Sequence, residues 1–337
     1  MSVSKMSTDK CPIKNFIPRM RTALLFSLVM ILIIPDVSGQ VIEEREKQSA
    51  ARNHIKTKTQ IDFNYQTGTV SKNGNKTSVT LYSQAGDILQ KSFLDPKGQV
   101  IGSERYEYDD DNNRILFERE GSGSVYKKTS GYDSRNHLVL ETGFNGTENF
   151  RNEFRYNSSG KLTEASYFIN NRLQQRLIYE NSGNISNVDI YTAGTTLSSK
   201  MRMVYNSQEQ ITEETTSGID GKELEKKVYK YNLSSQLLEE SKTVKGVLHY
   251  RITYSYDNRG NLLSVHEETP ARAKYAKKMY SFDSAGNLIE YKWRRSPDEE
   301  FNVKSYTYDT KGICLSEHTF YPKTKYELLS RFQYEFY

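Results

Sequence analysis

Two aromatic side chains near the C-terminal end are the residues of this sequence whose chemistry points most directly to binding. Trp293 is the only tryptophan, and Tyr291 precedes it by two residues. Because side chains two positions apart along a strand share one face, the two rings would form one aromatic surface. Sugars stack on such rings, and both residue types also anchor protein interfaces. The pair is therefore predicted to bind a ligand, with a place in a buried aromatic ladder as the alternative.

A second set of candidate residues consists of aspartates that are followed three residues later by glycine. The clearest pairs are Asp257 with Gly260, Asp283 with Gly286, and Asp309 with Gly312. A calcium loop needs oxygen ligands at alternate positions and a late glutamate, which none of these segments has. A type I turn, in contrast, uses the carboxylate to accept backbone N–H groups and the glycine to adopt a left-handed conformation. These six residues are therefore predicted to be structural turn residues.

The sequence contains no arrangement that is typical of an enzyme. None of the five histidines forms a metal-ligand pattern with another histidine or cysteine, and no nucleophile-elbow, zinc-protease or phosphate-loop motif is present. Neighbouring carboxylates such as Glu239 and Glu240 would face opposite sides of a strand. A hydrolase built from residues of neighbouring units stays open, because contacts between units are not visible in a sequence. We predict a non-catalytic protein that needs no metal or cofactor.

One short phrase recurs along most of the chain. It is YSYDNRGNLL at Tyr254–Leu263, and it returns as YSFDSAGNLI at Tyr280–Ile289 and as YTYDTKGICL at Tyr306–Leu315. Taking the second aromatic residue as a register mark gives steps of 23–26 residues, with marks at Tyr82, Tyr108, Tyr132, Tyr156, Tyr179, Tyr205, Tyr231, Tyr256, Phe282, Tyr308 and Tyr334. A period of this kind indicates one supersecondary unit that is copied and stacked.

Each unit has the pattern of a β-hairpin. In His249–Asp257 the aromatic and aliphatic residues alternate with polar ones, as expected for a half-buried strand. The fold class predicted is all-β: a long antiparallel meander of hairpin repeats of about 25 residues over residues 76–337. Since strands twist by roughly 20–25° each, so long a sheet cannot stay flat. We expect a coiled or superhelical, partly closed sheet with its aromatic face inward.

The N-terminal segment predicts export. Twelve uncharged residues, 23–34, follow Arg19 and Arg21 and precede small residues that end at Gly39. This pattern is typical of a signal peptide over residues 1–39, with Met20 as a possible true start. Residues 40–75 are polar and predict a linker or a short N-terminal helix. The mature chain would then be secreted, periplasmic or at the cell surface, with no membrane span after cleavage.

Charge and cysteine content narrow the partners further. Residues 1–39 contain five Lys or Arg and two Asp or Glu, which leaves 42 basic and 40 acidic residues, a net charge of +2. A nearly balanced surface argues against nucleic acid as a partner. Cys314 is the only cysteine after the leader, so an intramolecular disulfide is excluded.

The repeated phrases resemble the tyrosine–aspartate (YD) repeats of the RHS family, which includes bacterial wall-associated and polymorphic-toxin proteins and the teneurin extracellular region. The resemblance covers Val79–Tyr337 and is strongest from Tyr229 onward. It implies an exported β-sheet that spirals into a shell, which encloses a toxin or presents a surface to glycans and partner proteins. The units here are longer than a typical YD repeat, and the chain ends on the repeat strand RFQYEFY. We therefore expect a short stand-alone array and not a closed toxin cage.

These observations lead to one main functional hypothesis and two alternatives. The main hypothesis is a secreted or cell-surface β-repeat scaffold, without catalysis, that binds a glycan or an extracellular protein. The alternatives are an outer-membrane β-barrel and a toxin-associated shell fragment of the RHS type. An outer-membrane barrel requires an outward apolar band about 25 Å tall, whereas strands such as LEKKVYKY place charges in mid-strand.

Overall fold

The computed structural model describes residues 37–66 and 68–337, and 66% of this part of the chain is β-strand. Helix α1 (Val37–Arg52) precedes the strands. The strands are β1 (Ile55–Gln66), β2 (Thr69–Val70), β3 (Asn75–Tyr82), β4 (Ile88–Leu94), β5 (Val100–Tyr108), β6 (Arg114–Gly121), β7 (Ser124–Tyr132), β8 (Leu138–Phe144), β9 (Asn149–Tyr156), β10 (Leu162–Ile169), β11 (Arg172–Ser182), β12 (Ile185–Thr192), β13 (Thr196–Tyr205), β14 (Ile211–Gly218), β15 (Glu223–Tyr231), β16 (Leu237–Val244), β17 (Val247–Tyr256), β18 (Leu262–Thr269), β19 (Arg272–Phe282), β20 (Leu288–Trp293), β21 (Asn302–Tyr308), β22 (Cys314–Tyr321) and β23 (Tyr326–Phe336). Residues 1–36 of the predicted signal peptide lie outside the described residues.

The hairpin turns have the geometry that the Asp-x-x-Gly phrase encodes. At the turn after β17, the backbone N–H groups of Arg259 and Asn261 donate to Asp257 Oδ1 at 2.9 and 2.8 Å. The Asn261 side-chain amide donates to the other carboxylate oxygen at 2.7 Å, and with the backbone donors it holds the pKa of Asp257 below its ordinary value. Gly260 has φ +85°, which glycine adopts without steric cost. Asp283 with Gly286 and Asp309 with Gly312 repeat this arrangement.

The meander closes on itself. Strand β1 pairs antiparallel with β3 on one side and with β23 on the other, while β2 pairs with β1 alone. The result is a closed barrel of 22 antiparallel strands. The prediction of a coiled, partly closed sheet was therefore wrong. Closure pairs the two outer edges of the meander, which would otherwise expose unpaired backbone N–H and C=O groups.

The closing strand lies where the sequence predicted a linker or a short helix. Helix α1 and β1 both fall largely within residues 40–75. The segment IKTKTQIDFNY has no repeat phrase, because it begins after a helix and has no Asp-x-x-Gly turn before it. Its pairing with β23 joins residues up to 281 positions apart, such as Ile55 and Phe336. No local pattern in the sequence reports so distant a contact.

The position of helix α1 identifies the inner wall of the barrel. Arg45 contacts the turns after β17 and β19, whereas Lys47 contacts Asp87 in the turn after β3. These turns are about seven strand spacings apart, or roughly 34 Å along the wall. Two helix residues separated by about 3 Å of rise could not reach both turns across a flat sheet. The wall therefore curves around the helix, and the face that the helix contacts is called the inner wall below.

Tyrosine hydroxyl groups connect seven of the hairpins to the preceding one on this inner wall. The end of the barrel that contains the Asp-x-x-Gly turns is called the turn end. Near it, seven described tyrosines donate to a main-chain oxygen of the preceding hairpin at 2.6–3.4 Å. The donor and acceptor pairs are Tyr108 with Ile88, Tyr132 with Arg114, Tyr156 with Leu138, Tyr231 with Ile211, Tyr256 with Leu237, Tyr308 with Leu288, and Tyr334 with Cys314.

One unit uses a different residue for this contact. The side-chain amide of Asn181 donates to the main-chain oxygen of Leu162 at 2.8 Å, so Asn181 occupies the position that the sequence assigned to Tyr179. Strand β11 continues three residues beyond Tyr179, to Ser182, and its turn consists of residues 183–184 only. Counted from Tyr156 to Asn181, the step is 25 residues, so the step of 23 arises because Tyr179 is not the equivalent residue.

Removal of one of these hydroxyl groups tests their contribution to stability. Tyr256→Phe deletes the donor to the Leu237 main-chain oxygen, which is 2.9 Å away. We expect the free energy of unfolding to fall by about 0.5–1.5 kcal/mol in urea denaturation, the usual net value of one such hydrogen bond. The matched control is Tyr191→Phe on the opposite face of the wall, where a change below about 0.5 kcal/mol is expected. An equal loss in both variants would show that the inner hydroxyl contacts do not stabilise the barrel.

Candidate functional site

Helix α1 lies inside the turn end of the barrel and is held there by charged side chains. Arg45 donates to the main-chain oxygen of Gly286 at 2.5 Å and to the side-chain oxygen of Asn261. Its guanidinium group lies 4.7 Å from the centroid of the Phe282 ring. Phe282 stands where other units have the repeat tyrosine, so the cation lies over a ring that has no hydroxyl group. The helix thus contacts features that belong to the repeat itself.

A half-buried acid fixes the middle of the helix. Glu46 accepts hydrogen bonds from the Tyr82 hydroxyl at 2.6 Å and from Lys58 Nζ at 2.8 Å. Burial by itself raises the pKa of this carboxyl group, but the positive charge of Lys58 and the two hydrogen bonds outweigh it and hold the pKa below its ordinary value. Tyr82 is buried in the same cluster as Ala50 and Ile313, so apolar packing surrounds the ion pair. Helix α1 is therefore an integral part of the barrel end.

The inner wall combines aromatic rings with paired charges. Lysine and glutamate side chains from neighbouring strands form cross-strand ion pairs that face the lumen, alongside the tyrosines. The pairs and their N–O distances are Lys128 with Glu141 at 2.7 Å, Lys227 with Glu214 at 3.8 Å, Lys242 with Glu225 at 2.7 Å, and Lys304 with Glu317 at 2.5 Å. Within each pair the charges offset one another, so these positions give the lumen polarity without a net charge.

The lumen opens into a large cavity toward the other end of the barrel, which is called the loop end. This cavity has a volume of about 870 Å³ and is lined from strands β7–β16 and their loop-end connections. Phe150, Tyr167 and Ile190 contribute apolar surface, and Asn152 and Gln175 contribute polar groups. Its size is within the range of small-molecule sites in proteins. The sequence did not predict this site, because it does not show the curvature that makes residues of several consecutive units face one space.

The predicted aromatic pair lies on the inner wall at a different place. Tyr291 and Trp293 on β20 stack at 4.9 Å between ring centroids, with an interplanar angle of 14°. Tyr291 also stacks on Tyr280 at 5.0 Å, and Trp293 contacts the edge of Tyr321 at 5.9 Å. Both rings are half-buried members of an aromatic ladder. A glycan or peptide could reach them only from the lumen.

The predicted turn residues lie apart from this cavity. Asp257, Asp283 and Asp309 are at the turn end, where each accepts backbone N–H groups of its own turn. Gly286 and Gly312 lie next to helix α1, since Arg45 bonds to the first and Arg52 approaches the second. These turns therefore contact the helix and also reverse the direction of the chain.

The outer wall is polar and charged. Its side chains alternate with those of the inner wall along the same strands. Glu118 bonds to Arg105 at 3.1 Å and lies 3.6 Å from Lys127. Similar networks occur on other strands, namely Arg155–Glu164–Arg176 and Lys230–Glu239–Arg251–Glu268. Such networks are typical of a surface in contact with water.

The described residues contain no recognisable metal site. Within residues 37–66 and 68–337, no three His, Cys, Asp or Glu side chains are close enough together to hold a metal ion. In the same part of the chain, no helix has the length and apolar character needed to cross a membrane.

Comparison with known proteins gives low similarities only. No protein-family model and no curated protein matches the chain. Among solved structures, the Photorhabdus luminescens Tc holotoxin pore is 13% identical with a TM-score of 0.28. The match covers 80% of this chain but only 18% of that one. A porin-like protein from Bacteroides uniformis is 12% identical with a TM-score of 0.33, covering 68% of this chain and 95% of that one. Another porin-like protein, from Bacteroides vulgatus, is 9% identical with a TM-score of 0.26, and the match covers 84% of this chain and 99% of that one. At these TM-scores none of the similarities carries an argument about function.

A glycine contact tests whether the turn end holds helix α1. A Cβ atom at Gly86 would lie 2.2 Å from the Lys47 main-chain oxygen and 2.9 Å from the Ala51 nitrogen. Gly86→Ala should therefore displace the helix, in addition to the strain of about 1–2 kcal/mol at φ +85°. Hydrogen exchange of residues 37–52 should become at least tenfold faster.

Gly98→Ala is the matched control for this experiment. Gly98 has φ +79°, and no atom lies within 4 Å of its added Cβ. This variant has similar backbone strain but leaves helix exchange unchanged. Equally fast exchange in both variants would show that the Gly86 contact does not hold the helix.

The pKa of Glu46 predicts how acid affects the barrel end. Because folding lowers this pKa, the unfolded chain binds more protons, and the stabilisation by Glu46 is fully present above its ordinary value of 4.5. It is lost as the pH falls through the lower, folded value. We expect Glu46→Gln to reduce the free energy of unfolding at pH 7, and the difference from the parent protein to shrink at pH 3. A difference that is the same at both pH values would contradict the role assigned to the Glu46 carboxylate.

Proposed function

We propose that this protein is a closed, hollow β-barrel that works outside the cytoplasm, without catalysis, and binds its partner in the lumen. The observation that supports this proposal best is the pairing of β1 with both β3 and β23, which closes the wall. Closure leaves no exposed sheet edge to which a peptide strand could add. The concave aromatic surface is then reached only through the barrel ends, one of which helix α1 occupies. Export rests on the leader pattern in residues 1–39.

A closed barrel supports the outer-membrane alternative better than the open scaffold that binds a glycan. An even number of antiparallel strands with short connections is the geometry in which strands cross a bilayer, because every backbone group is paired. A ring of outward aliphatic residues beside the turn end also favours this alternative. Its members, each more than one third exposed, are Leu238, Leu263, Ile289 and Leu315.

The rest of the outer wall favours a barrel that stands in water. Arg155 and Lys230 are 68% and 62% exposed on strands that would have to face lipid. An arginine or lysine on the lipid face costs about 2–4 kcal/mol at the bilayer midplane, and several outer strands contain one. We therefore place the water-exposed barrel first and the outer-membrane barrel second. The tyrosine–aspartate phrases support an RHS-type shell as the water-exposed form.

Cell fractionation distinguishes the two forms. The full chain is expressed with its own leader, and the secreted, periplasmic and membrane fractions are separated without detergent. We expect the protein in an aqueous fraction, as a monodisperse species that does not raise the conductance of a lipid bilayer. Recovery from the membrane fraction only with detergent, together with ion conductance, would instead establish the outer-membrane barrel.

A further inference from the structure

We propose that the cavity at the loop end binds a small, uncharged, largely apolar molecule. This inference deepens the proposed function, since it rests on the lumen as the binding surface. The cavity lies on the side of the barrel away from helix α1. Loop-end residues such as Asn145 and Lys245 form its rim, so a ligand can enter from solvent.

The size and lining of the cavity suit an apolar ligand of a few hundred daltons. Its volume of about 870 Å³ exceeds that of a single sugar ring or amino acid. Tyr126 and Phe150 lie on one side of it, 6.3 Å apart between ring centroids. Ile190, Leu224 and Val244 contribute aliphatic surface from β12, β15 and β16. Aromatic and aliphatic surfaces of this kind favour a ligand with a flat or apolar body.

The charged groups of the cavity already have partners. Lys128 bonds to Glu141, and the second carboxylate oxygen of Glu141 accepts a hydrogen bond from Asn152 at 3.2 Å. Glu225 bonds to Lys242 at 2.7 Å. A charged ligand would have to break one of these pairs, whereas a neutral ligand leaves them intact. The exposed Lys245 belongs to the rim and stays in water.

The Gln175 amide does not change this conclusion. Its side-chain oxygen Oε1 has no hydrogen-bond partner among the described residues, but it is inaccessible to solvent. A ligand N–H group would need the same space beside this oxygen as a water molecule, so this atom does not select the ligand. The apolar surface and the paired charges therefore decide what binds.

The test uses N-phenyl-1-naphthylamine, a neutral fluorescent probe with an apolar body. The matched probe is 8-anilinonaphthalene-1-sulfonate, which has the same rings and one negative charge. We expect saturable binding of one neutral probe per full-length chain in detergent-free buffer. The charged probe should bind at least tenfold more weakly.

Two variants locate the site. Ser199→Trp adds a large side chain to the cavity lining and should weaken both probes at least tenfold. Ser241→Trp makes the same substitution on the opposite face of the neighbouring wall, between Val228 and Arg251, and should have no effect. Phe150→Ala removes a lining ring without filling space, and it should also weaken both probes. Cooperative unfolding of each variant is measured to verify its fold.

The absence of saturable binding, or equal affinities in the parent protein and Ser199→Trp, would overturn the inference. Equal affinities for the neutral and the charged probe would overturn the preference for an uncharged ligand. These outcomes are independent of cell fractionation, because probe binding is measured on the isolated barrel. A membrane-embedded protein whose binding of the neutral probe is still blocked by Ser199→Trp would refute the water-exposed barrel but not the cavity.

Discussion

The pairing of β1 with strands from both ends of the meander is the contact on which the rest of the structure depends. It joins residues that are up to 281 positions apart, such as Ile55 and Phe336, and it turns an open sheet into a tube. An open sheet of this length would expose two unpaired edges and would have no fixed curvature. Once β1 pairs on both sides, the number of strands is set. The inner wall, its aromatic rings and its ion pairs then face one enclosed space.

Within the closed wall, two kinds of contact repeat from hairpin to hairpin. The turns satisfy their own backbone through an Asp or Asn side chain, as Asp257 does with Arg259 and Asn261. In seven units a tyrosine then bonds to the preceding unit, as Tyr256 does with the Leu237 main-chain oxygen. The first contact is local and explains why the turns that contain Asp or Asn fold alike. The second explains why the hairpins stack in register, because each hydroxyl group reaches a fixed position in its neighbour.

Helix α1 and the loop-end cavity divide the lumen into two parts with different chemistry. At the turn end, Arg45, Glu46 and Lys47 use charged hydrogen bonds to hold the helix against the wall. Toward the loop end, the charges pair with one another and the surface becomes largely aromatic and aliphatic. A single repeat produces both environments because the residues between its fixed positions vary. The polar outer wall is compatible with this division, since it needs no lipid to cover it.

The sequence by itself determined the repeating unit. Asp257 with Gly260 and the alternation in His249–Asp257 specify a turn and a half-buried strand through contacts of a few residues, and the same phrase recurs up to the C-terminal strand. It did not determine closure, because β1 has no repeat phrase and meets β23 only through folding. The equivalence of Asn181 to the repeat tyrosines was likewise visible only in the structure, where a shorter turn shifts the register. The cavity is lined by consecutive units that face one space only because the wall is curved, so it was also visible only in the structure. Local hydrogen bonds and strand periodicity can be recognised in a sequence, whereas closure and the lumen depend on long-range pairing that no short segment encodes.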